Sequence, residues 1–269
     1  MKTGKRWFLK AELAVLICVV CIWVVKSATI DIESVKAEVL KQVVKVDRDN
    51  VEAYRFLATH YDLSHDFEKA AEFRKQLVRI EPNDSKAWND LGDEYASGGH
   101  YEKAIRAYKK AAQLDPDWRW PHICLAVTYE DMQRYNEAIE EWKQVIRLEP
   151  NVASLHLILG GAYEKAGKQQ EAKDSFVKAK NIDPNIVDRC YKSGNEKYDL
   201  GHYEDAIARY ENVIRLEPDN AGAHYGLGKA YLQVGSKDLA LEEYKILKTL
   251  DGKLANDLLV LIDRHTRNP

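Results

Sequence analysis

The sequence predicts an all-α fold, a solenoid of stacked helix pairs, and three observations carry that reading. The stretch GDEYASGGHYEKAIRAYKKAAQLDP at 92–116 returns as GNEKYDLGHYEDAIARYENVIRLEP at 194–218, an offset of 102 residues, or three times 34. Five of the seven prolines (Pro82, Pro116, Pro150, Pro184 and Pro218) recur at the same period, and so do six alanines: Ala70, Ala104, Ala138, Ala172, Ala206 and Ala240. An unbroken period of this length marks a repeat architecture, because a single helix pair cannot cover its own apolar face and must stack on the next.

The first 30 residues stand apart. A basic head is followed by an uncharged run from Leu13 to Val25. Thirteen helical residues span only about 20 Å, so a membrane crossing needs the run extended back to Trp7, giving about 28 Å. That extension accepts Lys10, which can snorkel, and Glu12, which is costly there. Trp7 and Trp23 would lie near the two interfaces. Bulky Val, Ile and Trp side chains before Ser27, with no A-x-A, favour an uncleaved anchor at about 7–25 over a cleaved leader. Either reading puts the N-terminus in the cytoplasm and the rest of the chain on the outer, extracytoplasmic side; a cleaved leader would leave a soluble exported protein.

Residues 31–50 are read as an N-terminal half-repeat helix, with Val35, Val39, Val43 and Val46 in one stripe and Leu40, Val43 and Val46 at repeat positions 24, 27 and 30. Six contiguous blocks follow over 51–254: 51–84, 85–118, 119–152, 153–186, 187–220 and 221–254. In each block positions 4, 7, 8 and 11 make one helical stripe, and positions 20, 24, 27 and 30 make another. Position 8 is always small (Ala58, Gly92, Ala126, Gly160, Gly194, Gly228), so with alanine at 20 two antiparallel helices can approach closely. Glycine at position 15 in four blocks (Gly99, Gly167, Gly201, Gly235) suits a left-handed residue closing the first helix. Proline at 32 stops the second helix, since it lacks the backbone donor. The end, 253–269, reads as a capping helix and tail, with Leu254, Leu258, Leu259 and Ile262 on one face and charges on the other.

These residues, for instance AWNDLGDEY followed by GHYEKAIRAYKKAAQLDP in the second block, resemble the tetratricopeptide repeat over about three quarters of the chain. Block five departs most, with Cys190, Ser193 and Lys197 in place of larger apolar residues. The resemblance implies a right-handed superhelix of six such helix pairs. It also implies that positions 2, 5, 6, 9, 12 and 13 of each first helix face a concave side that binds a protein or peptide.

On that register Trp120, Ile123, Cys124, Val127, Leu157 and Ile158 form an apolar centre. Asn89 and Asp93 flank it on one side, with Tyr191, Lys192, Asn195, Tyr225 and Lys229 on the other. An apolar centre with polar shoulders is the anatomy of a binding surface. A helix apolar all round, such as WPHICLAVTY, is also what a buried helix looks like, and that alternative stands beside the groove. The clamp that some chaperone-binding members of the family use for a C-terminal carboxylate is absent, since Arg55, Thr59, Asp90, Trp120 and Cys124 occupy its places.

Other functions find little support. Lysine plus arginine (40) nearly balance aspartate plus glutamate (43), so no basic footprint for nucleic acid exists. Cys18 and Cys21 lie in the apolar run, and Cys124 and Cys190 in different blocks, so neither a redox motif nor a disulfide is expected. His122, His156 and His224 sit at position 4, a packing position, while His100 and His202 recur in the turn. No catalytic, metal, cofactor or small-molecule motif is found. The chain reads as a non-enzymatic scaffold or adaptor for cell-envelope assembly, tethered to a membrane, with a protein partner that is itself membrane-associated. Alternatives are a regulatory subunit positioning a membrane enzyme and a soluble exported adaptor.

Overall fold

The computed structural model describes residues 32–267; the segment expected to anchor the chain at 7–25 lies outside the described residues. Among the described residues there are fourteen helices and no strand. Helix α1 (Ile32–Val46) is followed by α2 (Val51–Leu63) and α3 (Phe67–Ile80), α4 (Ser85–Ser97) and α5 (Tyr101–Leu114), and α6 (Arg119–Asp131) and α7 (Tyr135–Leu148). Then come α8 (Ala153–Lys165) and α9 (Gln169–Ile182), α10 (Ile186–Asp199) and α11 (Tyr203–Leu216), α12 (Ala221–Gln233) and α13 (Lys237–Leu250), and finally α14 (Gly252–Arg267). The chain divides into two compact units, one reaching Glu141 and the other starting at Trp142, a division that falls inside α7. Among these helices, none is long and apolar enough to cross a membrane.

Local chemistry sets the helix ends. Asn50, Asp84 and Asn220 occupy repeat position 34 or its equivalent, and each side chain accepts a backbone N–H of the first turn of the following helix, satisfying donors that the helix leaves open. Trp118 and Val152 hold that place without a side-chain bond, so α6 and α8 start uncapped in this sense. Every second helix of a pair ends at position 30, and the next residue, the one preceding proline or Gly252, takes extended backbone (ψ 69 to 100 for Glu81, Asp115, Asp183, Glu217 and Asp251), as a residue before proline prefers. Gly99, Gly167, Gly201 and Gly235 are left-handed, with φ between 74 and 79. His65 and Gln133 hold the same position in blocks one and three and adopt φ 58 and 57 despite their side chains.

The position-20 alanines are buried throughout, none exceeding 1% exposure. In the first unit one cluster joins Ala71, Val78, Ala87, Leu91 and Ala107, and another joins Ala104, Ile105, Tyr108, Leu125, Tyr129 and Ala138. In the second unit Phe176, Ile186, Val187, Cys190 and Val213 share a cluster. Leu258 and Ile262 of α14 close the end against Leu232, Ala240 and Leu247. Leu258 rests directly over Gly228, where an added Cβ would lie 2.5 Å from its Cδ2. Helix α10 is continuous through the departures of block five: Cys190 is buried, and Lys197 carries its ammonium 3.0 Å from Asp205. At the other end one expectation is corrected. Val46 is 54% exposed; α1 buries Ala37 and Val43 instead, because the helix stops at Val46 and the chain turns away through Asp47.

Candidate functional site

In the first unit the candidate residues lie on α4 and α6. Trp120 is 50% and Val127 47% exposed, two helical turns apart on α6, with Ile123 and Cys124 half-buried between them. Thr128, on the opposite flank, is buried and returns its hydroxyl to the Cys124 carbonyl at 2.7 Å. Asp93 of α4 reaches this stripe. Its Oδ1 accepts from Tyr108 Oη at 2.8 Å and from Cys124 Sγ at 3.8 Å, and its Oδ2 accepts from Asn89 Nδ2 at 3.2 Å. Asp93 is an exposed residue whose carboxylate nonetheless lies down among these groups. Burial therefore holds its pKa above the usual carboxylate range, against the lowering effect of the Tyr108 bond. Burial and the Asp93 charge push the Cys124 thiol up to about 12, so it stays protonated and unreactive at neutral pH.

Asn89 does not line a surface. It is 6% exposed, and no donor among the described residues reaches its Oδ1. Beside it Arg74 of α3 clasps α4 through Glu94 (2.7 Å) and Asp90 (2.8 Å). Asp90 thus shares the single Arg74 charge with Glu94, while the hydrogen bonds that Asp93 accepts among the described residues come only from neutral donors.

In the second unit Ile158 of α8 is 41% exposed, but Leu157 is 6% exposed and belongs to the core cluster with Phe176, Ile186 and Cys190. Placing Leu157 on the groove is therefore corrected: at position 5 a long apolar side chain is drawn into packing with the following repeat's first helix. Lys192 is exposed, and Tyr191, Asn195, Tyr225 and Lys229 are half-buried. Lys229 lies 4.4 Å from the Tyr198 ring centroid and 5.3 Å from that of Tyr225, a cation held between two aromatic faces. Asn195 Oδ1 accepts from Tyr210 Oη at 2.7 Å, and the Tyr191 ring centroid stands 6.1 Å from that of Tyr210.

Two of these bonds are one device written twice. Tyr108 to Asp93 and Tyr210 to Asn195 both join position 24 to position 9 within a block, in the two blocks most alike in sequence. A tyrosine fifteen residues after a polar acceptor was the available signal for it. A second recurrence joins position 4 to position 23: His122 Nδ1 to Glu141 at 2.7 Å in block three, and His224 Nδ1 to Glu243 at 2.6 Å in block six. Block four has Ser175 there, and among the described residues no hydrogen-bond partner reaches the buried His156 Nδ1.

Helix pairs of this make, repeated at a fixed register with small residues at the crossings, define a tetratricopeptide-type scaffold. Family models agree. Those described as TPR repeat match 92–133, 131–167 and 194–235, and one described as tetratricopeptide repeat matches 153–186. Together they take in about half of the sequence, and the chain belongs to the tetratricopeptide repeat family. Comparison with curated proteins gave no match. Among solved structures the chain is similar to the MamA protein, with 31% identity over 64% of this chain and 94% of that one, at a TM-score of 0.39. It is similar to MamA AMB-1 at 25% identity over 57% and 90%, TM-score 0.48. It is also similar to YrrB, described as a TPR protein with an unusual peptide-binding site, at 21% identity over 70% and 97%, TM-score 0.41.

Proposed function

We propose that this protein is a non-catalytic interaction scaffold that docks a protein or peptide partner on the inward faces of its first helices. The observation that carries the reading is the exposure of Trp120 and Val127 on α6, one stripe of large apolar side chains in contact with water while the opposite side of the same helix is core. Aromatic anchors of this kind supply a large share of binding energy at interfaces. The repeat family supports the same role, since tetratricopeptide folds bind protein or peptide partners.

The membrane side of the proposal rests on sequence. Residues 7–25 tether the chain, the repeats lie on the outer side, and the scaffold serves assembly of envelope proteins. Only Lys26 to Ile30 separate the apolar run from the half-repeat, a reach of at most about 18 Å. The partner is therefore a membrane protein or a membrane-proximal segment. Intact-mass measurement of the membrane fraction tests the tether; a mature start near Ala28 would remove it.

The docking role is tested with Trp120→Ala combined with Ile158→Asp, both at exposed positions. Helix content should be retained and co-purification of the crosslinked partner lost. A folded double variant that still recovers the same proteins would show that these faces are not where the partner binds.

A further inference from the structure

The inward positions of α4 and α6 carry Asp90, Asp93, Glu130 and Asp131 against one base, Lys86. Arg119, one residue before Trp120, has its guanidinium 5.7 Å from that ring. Asp90 is already bonded to Arg74, but among the described residues Asp93 accepts hydrogen bonds only from the neutral donors Tyr108, Asn89 and Cys124, with the Arg74 charge acting on it from a distance. A carboxylate that has given up part of its water without gaining a cation is one that a cation from outside can complete. It lies next to Cys124, midway between Trp120 and Val127. Those two apolar seats are seven residues apart, about 10 Å along the helix, which three residues of polyproline-II backbone at about 3.1 Å each would span with both apolar side chains on one face.

We propose that the inward face of α4 and α6 binds a cationic, apolar peptide segment, with a lysine or arginine at Asp93 between two large apolar side chains on Trp120 and Val127. This rests on the docking role proposed above and names the chemistry of the partner. Asp93 selects for positive charge, and the stripe supplies sequence-tolerant contact area. The fold already shows that the charge is dispensable for structure: Asn195 holds the same repeat position and accepts the same tyrosine bond at 2.7 Å. Asp93→Asn therefore removes the charge while keeping the acceptor for Tyr108.

The test uses the full chain in nanodiscs of zwitterionic lipid, with empty discs as the blank, and fluorescence anisotropy of two short capped peptides, one built on LKKL and the other on LEEL. The LKKL peptide should bind saturably and weaken as salt is raised, and the LEEL peptide should not bind. Asp93→Asn should weaken LKKL about tenfold, the loss expected for one charge-assisted hydrogen bond. Trp120→Ala should weaken it at least as much, and Glu68→Gln, an exposed acid elsewhere in the first unit, should leave it unchanged. Equal binding of LEEL, or LKKL binding indifferent to Asp93→Asn, overturns the proposal. If LEEL binds and Trp120→Ala abolishes it, the docking face survives and only its charge preference falls. If neither peptide binds, the cationic segment is wrong, and the docking role is decided by crosslinking from Val127.

Discussion

Gly160 and Gly161 are neighbours in α8, and replacing each with alanine should move stability in opposite directions. A Cβ on Gly160 would stand 2.6 Å from Cδ1 and 2.8 Å from Cζ of Phe176, with Cε1 closer still, whereas one on Gly161 would meet nothing within 4 Å. Carbon atoms in ordinary contact sit about 3.5–4.0 Å apart, so the ring would have to retreat by more than about 1 Å. It has little room: Phe176 is 6% exposed, and Ala172 and Ala179 beside it are fully buried. Overpacking of this kind costs about 1–3 kcal/mol. Both variants gain about 1 kcal/mol from replacing glycine inside a helix. That gain is common to the two, so their difference isolates the packing cost, about 1–3 kcal/mol in favour of Gly161→Ala. Urea unfolding followed by far-ultraviolet circular dichroism measures it, with the wild-type midpoint between the two variants. If Gly160→Ala were as stable as Gly161→Ala, Phe176 would not press on this glycine, and the register of the α8–α9 pair would be wrong.

Two further outcomes follow from the same geometry. Ala104→Leu and Ala206→Leu, each at a position with 0% exposure, should destabilise by about 1–3 kcal/mol, while exposed Glu102→Gln should shift the midpoint little. His224 and His156 should titrate on opposite sides of the ordinary histidine value near 6.5. For His224 burial alone would lower the pKa, but the bonds to Glu243 and the Pro218 carbonyl outweigh it and raise it. For His156 burial dominates and lowers it, against the Pro150 carbonyl. The stability contributed by His224 is thus complete below about 6.5 and lost as pH rises through its folded value, while that of His156 is present above about 6.5 and lost as pH falls through its folded value. An NMR titration of the two imidazoles checks this, and Ser175→Glu should shift His156 upward; equal midpoints would remove the effect of Glu243.

Much of the fold is legible because the repeat converts packing into fixed residue types. Alanine at position 20 and a small residue at 8 announce the helix crossing, and all six alanines are buried where that requires. The left-handed turn was legible through glycine in four blocks. At His65 and Gln133 only the register reveals it, since the residue type argues the other way. The candidate site is less legible. Position 5 carries exposed Arg55, buried Asn89 and buried Leu157 in successive or nearby repeats. It lies at the flank of the inward face, where side-chain length and the facing helix decide between water and core. A pattern of residue types assigns the face and cannot assign the depth. The tyrosine bonds at position 9 escaped for a different reason: they link two helices, and each helix read alone shows only one half.

The docking role is tested most directly by photocrosslinking from single positions in the full chain. A photoreactive phenylalanine analogue is placed at Val127 or Ile158 on the inward faces, or at exposed Arg106 on the second helix of its pair. Crosslinks to another protein are expected from Val127 and Ile158 and not from Arg106. Crosslinks from Arg106 with none from the two inward positions would contradict the central claim.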